Sequence, residues 1–332
     1  MRVFLPQNFR PSYRQPKSSL EQHRPNPVSL ISYTYAALMT GPIAQIVSLT
    51  CHANAVIHGQ TPPQFFPTNS TCRFCEFIHF TGLRRTPTGE MEEVTFADQP
   101  EKWLAFLRDG RAIAARLLRT PENRPGFPDR TSAGFIGGGG RWTLELLFRS
   151  GQTDSWASRW DVGDRNALEQ RVWRVKYGLV ARGPTKEDQR RPLRTVKTDF
   201  RASLEEIKSF ADSHSQSNFA RCFADAIRAL DDPDLDIGYD YHHRDLALPG
   251  QLFPEAASML RAAQCAWVFG GMGSWNDISF AGDAQKEYET VSERLFSTLN
   301  EAIEVATSSS STPSGNAVLE APGSELPSFP NQ

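Results

Sequence analysis

The sequence predicts an α+β protein, an antiparallel sheet of about six strands in the N-terminal half packed with a C-terminal helical segment. Three observations lead there. Residues 141–182 alternate apolar and polar side chains with a period of two, residues beyond 198 carry apolar stripes spaced by three and four, and the strands precede the helices along the chain. In the first of these stretches Trp142, Leu144, Leu146 and Phe148 share one face, opposite Arg141, Thr143, Glu145 and Arg149. A turn at Ser150-Gly151-Gln152 leads to a second run with Trp156, Trp160 and Val162. A third run offers Trp173, Val175, Tyr177 and Leu179. Four tryptophans on one face of a meander make a core on which the other elements pack.

A chain of 332 residues exceeds the usual size of one core, so two modest domains are expected: a β-rich domain over 43–183 and a helical segment over 198–306 docked on it. Residues 184–197, with Lys186, Arg190, Arg191, Arg194 and Lys197, read as the charged linker between them. Residues 1–42 read as a flexible leader rich in Pro, Gln, Arg and Ser, and 307–332 as a disordered tail rich in Ser, Pro and Gly. Hydrophobic residues at 39% and charged residues at 22% are those of a soluble protein with ample material for a core. A formal charge of −2, from 36 Lys plus Arg against 38 Asp plus Glu, supplies no global field for nucleic acid or an anionic membrane. Five cysteines, an odd number scattered through a long chain, point to reduced thiols and a cytoplasmic setting.

Taken in order, the uncharged stretch 25–57 raises the question of targeting. A basic start, an uncharged middle and Ala53-Asn54-Ala55 imitate a secretory signal with its cleavage site, but Gly41-Pro42 and interspersed polar residues break the apolar run. They also leave no stretch of about 20 apolar residues for a membrane span. Val47, Leu49, Cys51, Ala53, Ala55 and Ile57 alternate with Ser48, Thr50, His52, Asn54 and His58, which predicts a strand. Asn69-Ser70-Thr71 is a turn in a cytoplasmic protein and a glycosylation acceptor in a secreted one. Two further strands are expected at 73–83 and 91–97, joined through Pro87-Thr88-Gly89. A helix follows near Pro100, with Trp103, Leu104 and Leu107 on one face; Ala112, Ala115, Leu117 and Leu118 continue it as a second short helix. Gly137–Gly140 precede a strand instead of a helix and lack the Lys-Ser/Thr of a phosphate loop, so they read as the entry to an edge strand. In the second half, Ser203 and Glu206 form a capping-box pattern, Phe219 to Leu230 an amphipathic helix, Pro254 to Trp267 another, and Tyr288 to Ile303 the longest stripe.

Four groups of residues carry chemistry. The acidic and histidine-rich loop 231–245 offers Asp236, Asp240, His242, His243 and Asp245 as ligands for a divalent metal or as an acid and base; its spacing fits neither an EF-hand nor H-E-x-x-H, and a solvated loop between helices is the plainer account. The aromatic and glycine-rich loop 267–280, with Trp267, Trp275, Asn276 and Asp277, is a candidate binding surface. Cys72, Cys75 and His79 form a possible zinc set that lacks a second C-x-x-C. The face with Arg141, Arg149, Arg159, Arg174 and Lys176 could hold phosphates, yet Glu145, Asp161 and Glu169 interrupt it. The expectation that follows is a non-catalytic binding or protein-interaction module without a required cofactor, its partner a protein. A metal-dependent hydrolase built on 231–245 is the alternative from another class, and nucleic-acid binding by the basic sheet face a third.

Overall fold

The computed structural model describes residues 39–109, 112–122, 127–232 and 243–312. Within them the chain is α+β: a six-stranded sheet from the N-terminal half, and helices that dominate the second half. The helices are α1 (Gly41–Ile57), α2 (Pro100–Arg108), the single turn α3 (Asp129–Ser132), α4 (Leu193–Ser213), α5 (Ser217–Asp231), α6 (Pro254–Ala266) and α7 (Asp283–Ser308). The strands are β1 (Cys75–Arg85), β2 (Met91–Ala97), β3 (Ala112–Thr120), β4 (Arg141–Phe148), β5 (Gln152–Val162) and β6 (Trp173–Pro184). Across the sheet they run β2-β1-β6-β5-β4-β3.

The meander read from 141–182 is β4, β5 and β6, paired antiparallel in sequence. Trp142 and Trp156 are buried on the core face, and Trp160 and Trp173 pack half-buried against the same core. The sheet is mixed, because β1 lies parallel to β6 with Ile78 opposite Val175. Strand direction was beyond the reach of a period-two pattern: alternation sets which face a residue takes, whereas two strands so far apart in sequence receive their relative direction from the intervening path.

Residues 47–57 form the second half of helix α1 and are not a strand. Fourteen of the 17 residues of α1 are buried, Ser48, Thr50, His52 and Asn54 among them. A helix enclosed on every side has no polar face, so it carries no 3.6-residue stripe, and the chance alternation of small residues imitates a strand. The second short helix expected at 112–118 is strand β3. Ala115 and Leu117 point into the core while Arg116 and Leu118 point away, and this period-two burial overrides the helical preference of Ala and Leu.

Strand β3 is an outer strand, and its free edge is closed by side chains. Asn54 Oδ1 accepts from the Ala115 amide at 2.7 Å, and Asn54 Nδ2 donates to the Ala115 carbonyl at 2.8 Å. Two residues on, Ser308 Oγ accepts from the Leu117 amide at 3.0 Å; Glu304 Oε2 then takes the Arg119 amide at 3.0 Å. Side chains of α1 and α7 thus stand in for the next strand, which satisfies backbone groups that burial would otherwise leave unpaired.

In the helical half, Ser203 lies in the middle of α4 and not at its start, since the helix opens after Pro192 inside the charged stretch. Its hydroxyl donates to the Phe200 carbonyl at 2.8 Å, so the apparent capping box caps nothing. The stripes of α5, α6 and α7 are buried as the spacing predicts, with Pro254 in the first turn of α6. Buried residues of the sheet, α1 and the later helices belong to one continuous hydrophobic cluster. Among the described residues no helix is long and apolar enough to cross a membrane.

Candidate functional site

Residues 67–74 bridge α1 and β1, and a tight 3-10 turn, Ser70–Cys72, sits at their centre. Asn69 caps it: its Oδ1 accepts from the Thr71 amide at 3.1 Å, leaving the Ser70 hydroxyl unneeded for capping. That hydroxyl lies 2.6 Å from His243 Nδ1 and is also hydrogen-bonded to Asp245 Oδ1. Asp245 Oδ2 accepts from the Ser70 amide at 2.6 Å. A serine, a histidine and an aspartate 173 and 175 residues away thus meet.

Buried polar groups fix this arrangement from behind. The Asp245 carbonyl accepts from Ser48 Oγ at 3.2 Å and from Asn69 Nδ2 at 2.9 Å. Gln264 of α6 grips the main chain of His243 at both ends, accepting from its amide at 2.8 Å and donating to its carbonyl at 3.3 Å. From Ser48 the network continues to His52, whose Nδ1 donates to the Ser48 carbonyl at 2.8 Å. From Thr71 it continues to Gln45, which donates to the Thr71 carbonyl at 3.2 Å and accepts from Tyr177 at 3.2 Å. Satisfied networks of this kind rigidify what they hold.

Ser70 opens onto a groove of about 630 Å³ lined by Pro67, Asn69, Arg73 and Phe74 on one side and by Glu169, Gln170 and Arg171 on the other. Glu169 and Gln170 both take positive φ, 58° and 57°, a left-handed conformation that disfavours side chains. The Arg73 guanidinium sits 5.2 Å over the Phe74 ring, and Arg171 pairs with Glu169 at 3.0 Å. Phe74 keeps 42% of its surface exposed.

Burial pulls the imidazole of His243 below its ordinary pKa while the Asp245 carboxylate pulls it upward; burial likewise lowers His52, His58 and His79. A histidine depressed in the fold takes its proton more readily when unfolded. As pH falls through 6.5, the ordinary value, the unfolded chain therefore binds more protons and stability declines. The urea midpoint is expected to be lower at about pH 5.5 than at about pH 7.5, before the carboxylates titrate; an unchanged midpoint would show these imidazoles to be as solvated as in the open chain.

The other predicted sites fare differently. Asp236, Asp240 and His242 lie outside the described residues, so of the loop 231–245 only His243 and Asp245 are placed in this site. Trp267 and Trp275 are buried at 1% and 0% exposure, so loop 267–280 does not offer its indoles to a partner. Trp275 packs against Phe219, Phe223 and Tyr288, and its Nε1 donates to Ser292 Oγ at 2.7 Å. Asn276 is tied to Arg130 by two hydrogen bonds of 2.9 and 3.0 Å, and Asp277 accepts from the Gly273 amide. Gly134 touches Gly270 so closely that a Cβ there would stand 2.3 Å from its carbonyl carbon. The two indoles belong to the core, because aromatic side chains between helices are worth more buried than displayed.

Cys72 and Cys75 are buried beside the core, whereas His79 stacks on Phe77 at 4.0 Å on the opposite face of β1, so the three do not converge. Among the described residues no group of three or more His, Cys, Asp or Glu is placed to hold a metal ion. Burial raises all five thiols, Cys75 and Cys222 to about 11 and Cys51 and Cys265 to about 12. A disulfide reagent at about pH 8 is therefore expected to titrate less than one thiol per native chain and all five after denaturation. Rapid reaction of even one native cysteine would contradict this burial. On the polar sheet face, Arg174 pairs with Glu76 at 2.8 Å, Lys176 with Glu93 at 2.7 Å, Arg159 with Asp161 at 3.0 Å and Arg141 with Glu122 at 2.8 Å. Four of the five cations expected to face phosphates are already neutralised by neighbours.

Sequence reasoning singled out His243 and Asp245 but not Ser70 or the groove. The only local sign was the Asn69-Ser70-Thr71 turn; in the fold Asn69 is buried with its side-chain amide engaged, so it is no glycosylation acceptor. The chain matches no protein-family model, no curated protein and no solved structure, so its function has to be argued from its own residues.

Proposed function

We propose that the protein is a binding module whose site is the groove between the Ser70 turn and residues 169–171. Its ligand presents an anionic group, a carboxylate or phosphate, next to an apolar one. The observation that carries this reading is the pair Glu169 and Gln170, two consecutive side-chain-bearing residues in left-handed conformation in the groove wall. Each costs roughly 1–2 kcal/mol, and strain of this kind persists where the surroundings hold it for a purpose. Arg73 supplies positive charge at the rim, Arg171 stands there paired with Glu169, and Phe74 and Pro67 supply apolar surface beside them.

The test uses phenyl phosphate and benzoylglycine as probes in isothermal titration. Saturable binding is expected, weakening as salt rises from about 50 to about 500 mM because rim charges are screened. Reversing both cations, Arg73→Glu with Arg171→Glu, should abolish binding and leave the circular dichroism spectrum unchanged. No heat from either probe, or affinity untouched by the double reversal, would remove the proposal.

A further inference from the structure

We infer that the cleft over Arg116 of β3 and Glu145 of β4 binds a zwitterion, an α-amino acid with an aliphatic side chain, taking its carboxylate on the arginine and its ammonium on the glutamate. The two residues are direct partners across the β3–β4 ladder, and both lie on the face of the sheet turned away from the core. Opposite charges so placed ordinarily pair. Elsewhere in this sheet they do: Arg84 closes on Glu92 at 3.2 Å and Arg182 on Asp154 at 2.7 Å, each from the opposing position. Arg116 and Glu145 do not close on each other. The Arg116 side chain is only 23% exposed, and its Nε is buried without an acceptor. Asp188 comes no nearer than 3.8 Å to its Nη2 and is already held by Arg190 at 2.8 Å. Buried donors are ordinarily satisfied, so this guanidinium faces a place where an acceptor belongs.

Two cavities, of about 700 and about 190 Å³, meet over this pair, and Arg116, Glu145 and Lys186 belong to the walls of both. Residues 185–191 cross above them, pinned at one end by the Thr185 amide donating to the Gly151 carbonyl at 2.8 Å and at the other by Arg191 donating to Glu301 at 2.7 Å. In the larger cavity Asp188 is paired with Arg190 and Glu301 with Arg191, and Glu304 accepts from the Arg119 amide at 3.0 Å. What remains is Arg116 and Lys186 against Glu145 and Glu187, two charges of each sign, none hydrogen-bonded through its side chain to another described residue. A simple anion would meet the two carboxylates and a simple cation the two bases, whereas a molecule carrying one charge of each sign is complementary to both. Leu117, Leu118 and Val305 supply the apolar part of the wall, which sets the aliphatic side chain. The structural alternative, an Arg116–Glu145 pair that closes in solution and only stabilises the sheet, predicts no ligand.

The cleft shares no residue with the Ser70 groove, so the two readings stand or fall separately. The full chain is titrated calorimetrically with leucine, N-acetylleucine and leucinamide at about pH 6.5, where amine and carboxylate are both charged. Leucine is expected to saturate the site with a Kd of roughly 1 mM or below. N-acetylleucine lacks the ammonium and leucinamide the carboxylate, and each should bind about tenfold more weakly or worse. In Glu145→Gln the preference for leucine over N-acetylleucine should vanish, and in Arg116→Gln the preference over leucinamide. A purely structural role for the pair would move neither ratio. The comparison of the three probes on the unaltered chain needs no variant, so it stands even where a variant fails to fold. Arg73→Glu with Arg171→Glu should leave leucine binding unchanged. No saturable heat from leucine up to about 20 mM, equal binding of either analogue, or leucine affinity unchanged in both variants overturns the proposal.

Discussion

Replacing Asn54 with leucine is expected to destabilise the protein by roughly 2–6 kcal/mol, a large part of the 5–15 kcal/mol that holds a typical domain together. Leucine fills nearly the same volume, so the loss does not come from a cavity. It comes from the Ala115 amide and carbonyl, each now bonded to Asn54 and each buried at the edge of β3. Unpaired in the interior, each backbone group loses about 1–3 kcal/mol. Thr50→Val on the same buried helix is the control. The Thr50 hydroxyl donates to the Ile46 carbonyl at 2.7 Å, an additional bond on an acceptor within the helix, and its removal should change stability by less than about 1 kcal/mol. Chemical denaturation of the two variants decides the matter. Equal effects would mean that closure of the β3 edge contributes nothing particular.

Trp275→Ala should cost about 3–5 kcal/mol, the range for deleting a buried aromatic ring. The indole is fully enclosed and lies between α5 and α7, with ring centroids of Phe223 and Tyr288 at 5.5 and 5.4 Å. Its removal also strands Ser292, buried in α7, which now receives the indole N–H. Trp275→Phe keeps most of the packing and loses the hydrogen bond, so a cost nearer 1–3 kcal/mol is expected. Thermal melting with a wild-type comparison reads both. A Trp275→Ala protein that melts within a degree of wild type would mean the loop is loosely attached, and would restore the possibility of a binding role for its aromatic residues.

The site divides along similar lines. His243 and Asp245 stand out in sequence because titratable residues are dense in 231–245. Their chemistry depends on Ser70, which lies 173 residues before His243 and whose neighbours in sequence are as ordinary as those of any polar turn. The Arg73 and Arg171 rim is likewise assembled from two segments that only the parallel pairing of β1 with β6 brings together, through the Trp173 amide bonded to the Phe74 carbonyl at 3.0 Å.

By itself the sequence determined the α+β class, the tryptophan-bearing meander and the buried stripes of α5, α6 and α7. Those features depend on side chains alternating between a core and water, and that alternation is written locally. Tertiary structure alone decided that 47–57 is helix, that 112–118 is strand, and that Trp275 faces inward. In the first, enclosure on all sides removes the polar face that would report a helical period. In the second, pairing with β4 overrides the preference of an Ala- and Leu-rich segment. In the third, whether an aromatic loop is a surface or a core depends on which helices close over it, a contact made between residues far apart in the chain.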